Sequence, residues 1–218
     1  MAIARDTSAS SFVTTQNMTL SYTTGSLTNG MMQINTFVTS ADNVTGVTYN
    51  GVSATLVNDS IIDGGGFYYI RSFLLPAPAS GTHDVVVSRS SSTGRLEVTV
   101  ETFSGVDQST TPDDTTAVHN TTNNVATSVT TTVDGDWITF FTGVGDLVSS
   151  VTNGTVQQAV QSGTCGATTN ATVLYDSNGS VSAGSNSMTL NICATADSVT
   201  VMTALKPFVP SSGFFNLL

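Results

Sequence analysis

The chain is poor in most of the residues that carry chemistry. Its 218 residues include two cysteines, two histidines, one tryptophan, and five lysines and arginines together. Those five face 15 aspartates and glutamates, a net charge of -10 at pH 7. Such a surface repels a phosphate backbone and offers counterion release nothing to work with, so nucleic acid is excluded as a partner. No apolar run approaches the roughly 18 to 20 residues of a membrane span, and the opening MAIARDTSASSF has no apolar signal core. No membrane partner is expected. Two cysteines are too few for a zinc site, and they lack the C-x-x-C spacing of a redox pair. Cys165 and Cys193 either pair, closing a loop that stabilises by about 3 to 4 kcal/mol, or stand as buried free thiols on neighbouring strands.

The same scarcity weighs against catalysis. A serine nucleophile needs a base, and His83 and His119 are the only histidines; no G-x-S-x-G elbow is present. His83 lies at the start of a strand after a turn, and His119 in a polar stretch, both ordinary places for a structural histidine. Glycoside hydrolysis needs two carboxyl groups about 5 to 9.5 Å apart. Glu97 and Glu101, the only glutamates, lie four residues apart on one strand, on one face but roughly 13 Å from each other. They are expected to be solvated. Asp63, Asp113, Asp114, Asp134 and Asp136 fall in loops, but none builds the spaced D-x-[DN]-x-[DN]-G pattern, and Asp-Gly turns form without metal. No metal and no cofactor is expected, and no glycine-rich phosphate loop precedes a helix.

What the chain has in quantity is alternation. Met18, Leu20 and Tyr22; Met32, Ile34, Thr36 and Val38; Leu96, Val98 and Val100; Met188, Leu190 and Ile192; Val199, Val201 and Thr203 recur with period two, and no stretch keeps a helical period. The residues between them are mostly Thr, Ser, Asn or Gln, as when one face meets a core and the other meets water. Asn50-Gly51 supplies the two positive φ angles of a type I′ hairpin. Further turns are marked at Asp63 to Gly66, Ser80 to Thr82, Asp134 to Asp136 and Asn178-Gly179. This predicts an all-β antiparallel sandwich, jelly-roll-like, of roughly ten to twelve strands. The stretch QSTTPDDTTAVHNTTNN (Gln108 to Asn124) reads as a long surface connection. One sandwich is expected over residues 1–207, with an N-terminal arm at 1–12 and an apolar arm at 208–218.

Three phrases in order, VTYNGVSATLV (Val47 to Val57), SGTHDVVVS (Ser80 to Ser88) and FSGVDQSTTP (Phe103 to Pro112), lead to a last strand VMTALKP (Val201 to Pro207). Together they resemble a β-sandwich module of tailed-phage and environmental virus structural proteins, also seen in some bacterial surface proteins. The likeness runs from about Ala2 to Pro207 and implies a scaffold, with no active-site residues to carry over. It implies a virion subunit made in the host cytoplasm and placed on the particle exterior, as capsid decoration or cement or as a head-fibre or tail accessory. The implied partners are the major capsid protein or other virion subunits, and further copies of the chain, for example as a trimer. Such modules tend to stop near L-K-P, whereas this chain continues as FVPSSGFFNLL. Pro207 and Pro210 forbid continuous ladder bonding, and Ser211 to Gly213 make a joint. Phe208, Val209, Phe214, Phe215, Leu217 and Leu218 therefore read as a docking arm, four of whose side chains would gain about 1.5 to 3 kcal/mol each when buried on a neighbour, or else as an arm that folds back to cover its own sandwich. The other reading is a carbohydrate-binding or adhesive surface module, with Trp137 or the cluster Phe67, Tyr68 and Tyr69 as the stacking platform.

Overall fold

The computed structural model describes residues 1–14, 17–39, 44–62, 68–91, 93–161, 165–166 and 170–210, with side chains at 59–62 left aside. Within them run seventeen strands and no helix. The first nine are β1 (Ala4–Val13), β2 (Met18–Thr24), β3 (Met31–Thr39), β4 (Val44–Tyr49), β5 (Val52–Ser53), β6 (Thr55–Ile62), β7 (Tyr68–Pro76), β8 (Gly81–Arg89) and β9 (Leu96–Ser104). The remaining eight are β10 (Asp114–Asn120), β11 (Asn124–Thr131), β12 (Trp137–Val144), β13 (Val148–Thr152), β14 (Thr155–Val160), β15 (Ala171–Asp176), β16 (Gly184–Ile192) and β17 (Ser198–Leu205).

The first nine strands form a five-stranded sheet, β1-β9-β3-β7-β6, and a four-stranded sheet, β2-β8-β4-β5. The first strand pairs with the last, the second with the next to last, the third with β7 and the fourth with β5, all antiparallel. That nested pairing is a jelly roll. Its core holds Met18, Tyr22, Met32, Ile34, Tyr49, Phe73, Val85, Val87, Leu96, Val98 and Val100. The remaining strands repeat the plan as β10-β17-β12-β15-β14 and β11-β16-β13, around Val125, Val129, Phe140, Tyr175, Met188, Leu190 and Met202. Where one sandwich was expected over 1–207, the sheets thus form two rolls, each with its own core. The excess over ten to twelve strands follows from this. The stretch read as a connection contains β10, a Thr-rich edge strand whose polar residues are half-buried beside β17. The expected N-terminal arm is mostly β1, and Ile3 before it is buried.

The two rolls correspond residue by residue. Met31 to Val38 pair with Phe103 to Leu96, and Trp137 to Val144 pair with Leu205 to Ser198, in ladders of the same length. β6 and β14 carry a bulge at the same place, after Leu56 and after Val156. β4 and β13 do likewise, after Val44 and after Val148. Left-handed residues follow β4 and β13 at Asn50 and Asn153, and open β8 and β16 at Gly81 and Gly184. The hairpin at Asn50-Gly51 has both residues at positive φ and pairs Tyr49 with Val52, as a type I′ turn requires.

The two five-stranded sheets pack on each other, so the molecule has four layers, with the two smaller sheets outermost. Equivalent residues meet across the join. Thr139 Oγ1 donates to Gln33 Oε1 at 2.9 Å, and Phe37 packs directly over its counterpart Gly143. Asn58 Nδ2 donates to Thr115 Oγ1 at 2.8 Å, and the matching pair repeats the bond, Gln158 Nε2 to Ser8 Oγ at 3.0 Å. A contact made twice with roles exchanged marks an isologous interface. The rolls are related by an approximate half-turn about an axis along β3 and β12.

A side chain at Gly143 would fall inside the Phe37 ring. Gly143→Ala should therefore destabilise by about 1 to 3 kcal/mol through overpacking, measured by urea unfolding, and Phe37→Leu in the same chain should recover part of the loss.

Candidate functional site

The join is where the chain concentrates its buried ionisable groups, and it departs from the half-turn symmetry there. On one side of the axis Ile70, Phe141, Val199 and Val201 form an apolar contact with Phe37 and Leu174. On the other side the counterparts of Val199 and Leu74 are Glu97 and Asp176. Gln33 Nε2 donates to Ser72 Oγ at 3.0 Å and to Asn35 Oδ1 at 3.3 Å, which floors this polar half.

Asp176 is the hub. Its Oδ2 accepts from Arg5 Nη1 and from the Trp137 indole N–H, each at 3.1 Å. Its Oδ1 accepts from Gln157 Nε2 at 2.8 Å and from the Asn178 N–H at 2.9 Å. Glu97 accepts from the Thr172 hydroxyl and lies 2.6 Å from Arg95 Nε. Glu101 is wholly buried, and among the described residues no donor reaches either of its oxygens. Burial pushes Glu101 up to about 8, helped by the negative charge of Asp176 and opposed by Arg5. Burial likewise pushes Glu97 up to about 7 against the hydrogen bond from Thr172 and the charge of Arg95. A carboxyl group without donors in such a place is held neutral. Both glutamates were expected to be solvated. They are enclosed because the sheet face they occupy meets a second sheet instead of water.

This seam is closed to a substrate, with Glu97, Glu101 and Asp176 each fully buried. The nearest opening is a groove of about 430 Å³ between the edges β1 and β14, lined by Ser10, Phe12, Arg95, Ala159, Val160 and Gln161. Arg95 stands between groove and seam, its guanidinium 4.2 Å above the half-exposed Phe12 ring. The arrangement can store a proton and hold two sheets together.

The residues singled out from the sequence lie elsewhere. His83 meets Ser80 O at 3.1 Å and the edge of Tyr49, and His119 lies 3.3 Å from Asp197. Trp137 is 7% exposed and packs on Phe103, so its ring offers no stacking platform. Tyr68 is half-buried against Phe37, while Phe67 and Asp63 lie outside the described residues. Asp114 caps the N–H groups of Thr115 and Thr130, and Asp134 that of Ala183. No cluster of three or more His, Cys, Asp or Glu among the described residues is placed to hold a metal. Cys165 and Cys193 are joined as a disulfide, with Cα atoms 5.1 Å apart. Phe208 is bound to its own chain: its N–H donates to Gly105 O at 2.7 Å, and its carbonyl accepts from the Met1 ammonium at 3.0 Å. Phe214, Phe215, Leu217 and Leu218 lie outside the described residues. Compared with protein-family models, curated proteins and solved structures, the chain matches none.

The raised carboxyl groups bind more protons folded than unfolded, so their contribution is present below about pH 4.5 and is lost as pH rises towards 8. Stability in urea should fall between pH 5 and 9 over that window, and Glu101→Gln should remove the largest single share of the slope, the rest coming from Glu97 and Asp136. An unchanged slope in that variant would place the titrating group elsewhere.

Proposed function

We propose that this chain is a non-catalytic virion structural subunit of a tailed bacteriophage, one that decorates or cements the capsid exterior or serves as a head-fibre or tail accessory. It works by shape and adhesion, with the major capsid protein or another virion subunit as partner and further copies of itself, for example as a trimer. The resemblance to phage and environmental virus modules is the starting point, and jelly rolls serve capsid domains as well as lectin domains.

The observation that carries the reading is the junction of Met1 with Phe208 at one pole of a four-layer block, beside the start of the apolar segment. The Met1 ammonium and Phe208 meet there, and the chain leaves at Val209, which is 74% exposed. The sequence beyond adds Phe214, Phe215, Leu217 and Leu218, four apolar anchors for a neighbour. The outer face of the second roll suits dense packing, because β11 and β16 turn Asn124, Ser128, Thr130, Ser185 and Ser187 outward without a charge. The disulfide suits a particle that is assembled in the host cytoplasm and persists outside it.

Deletion of residues 213–218 tests the reading. Binding of the purified chain to capsids, followed by co-sedimentation, should be lost while the melting temperature of the free protein stays the same. A lowered melting temperature with binding intact would contradict it.

A further inference from the structure

Lys206 is the only lysine in the chain. Its Nζ lies 3.2 Å from Asp113 Oδ1, and the Asp113 side chain is 2% exposed. Asp113 immediately precedes β10 and Lys206 immediately follows β17, the first and last strands of the second roll. Both backbones are pinned: the Asp113 N–H donates to Ala204 O, and Lys206 O accepts from the Asp107 N–H, each at 2.9 Å. Thr132 orients the carboxyl group, its hydroxyl donating to Asp113 Oδ1 at 2.6 Å and its N–H to Oδ2.

A third group completes the cluster. Asp136, just before β12, is wholly buried, and among the described residues neither of its oxygens accepts from a backbone N–H, a hydroxyl or an amine. Its polar neighbours are the Asp113 carboxyl and Lys206. Two carboxyl groups in hydrogen-bonding contact need a proton on one of them. Burial, the shared hydrogen bond and the charge of Asp113 push Asp136 up to about 7. Burial opposes ionisation of Asp113, but the bonds from Thr132, Asp136 and Lys206 outweigh it and hold that group down at about 2. The cluster is an amine, a carboxylate and a protonated acid on three adjacent strand ends.

We propose that Lys206 and Asp113 become joined by an isopeptide bond, formed within the folded chain with Asp136 as the acid that assists it. A proton passes from the Lys206 ammonium to the Asp113 carboxylate, leaving a neutral amine and a neutral carboxylic acid. The amine lone pair attacks Asp113 Cγ, and the Asp136 proton is transferred to the oxygen on which negative charge develops. Asp136, now a carboxylate, takes a proton from the attacking nitrogen and returns to its acid form. The C–O bond to one hydroxyl of the tetrahedral carbon breaks, that hydroxyl leaves as water with the proton of the other hydroxyl, and the remaining oxygen becomes the amide carbonyl. An ammonium and a carboxylate have become one amide and one water, with nothing oxidised or reduced. Two effects favour the reaction: the reacting groups are held in contact by pinned strands, and the product replaces a partly buried ion pair with a neutral group. The bond ties the first strand of the roll to the last at the pole where the chain leaves, so tension on that end meets a covalently closed roll. This inference is independent of the proposed virion role.

Intact-mass measurement of the purified, denatured full-length chain, with peptide mapping, tests it. The expected mass is one water below that of the disulfide-bonded sequence, with a peptide containing Asp113 linked to one containing Lys206. After denaturation an amine-reactive reagent should label the N-terminus and leave Lys206 unlabelled. Lys206→Arg and Asp136→Asn should each have the full mass while retaining a cooperative melt, and Asp136→Glu, which restores the acid, should recover the bond. A folded wild-type chain of full mass with Lys206 open to labelling would overturn the proposal and leave an ordinary ion pair. A missing water without the linked peptide would overturn it equally, and a bond that survives in Asp136→Asn would remove Asp136 from the reaction.

Discussion

The packing of one five-stranded sheet on its counterpart governs the rest of the structure. Each roll has a core of its own, but its larger sheet is apolar or hydrogen-bonding on both faces and cannot be left in water on one of them. Along β3, β9, β12, β15 and β17 almost every residue is buried, including those that alternate away from the roll's own core. Equivalent strands meet at the axis, where Gln33 bonds Thr139 and Phe37 fills the space that Gly143 leaves open. An interface of this kind needs a small residue opposite a large one and a donor opposite an acceptor. The two rolls differ in that complementary sense.

The same constraint explains which features the sequence revealed. Period-two alternation identified strands correctly because the pattern of an inward face survives whatever covers the other face. The Asn50-Gly51 hairpin was legible because its chemistry is local. The polar residues between the apolar ones, such as Gln33, Asn35, Thr99 and Glu101, looked like a solvated face. They are the second, polar core between the rolls, and only the presence of another sheet distinguishes the two cases. The repeated plan was hidden because its sequence trace is short: Asn50-Gly51 answers Asn153-Gly154, and Gly81 answers Gly184, while most equivalent core positions carry different residues. β10 was hidden because an edge strand wedged between neighbours can be built from Thr and Asp. The Lys206, Asp113 and Asp136 cluster joins residues remote in sequence, and nothing in their spacing could announce it.

Burying Glu97 and Glu101 costs stability at neutral pH relative to apolar residues of similar size, as the apolar half of the same join shows is possible. The polar half fixes register, since Asp176, held by Trp137 and Gln157 of its own sheet, meets Arg5 of the facing sheet only when the two are aligned. The result is a block of fixed register in which Met1 and Phe208 meet at one pole. The same geometry leaves a substrate no way to reach the buried acids.

The central claim is that the two rolls unfold and act as one body. The single tryptophan, Trp137, lies in the join and reports on it directly. Urea unfolding followed in parallel by Trp137 fluorescence and by far-ultraviolet circular dichroism should give one coincident transition. A fluorescence change completed at lower urea, with strand signal still intact, would show the rolls parting before they unfold and would contradict the account.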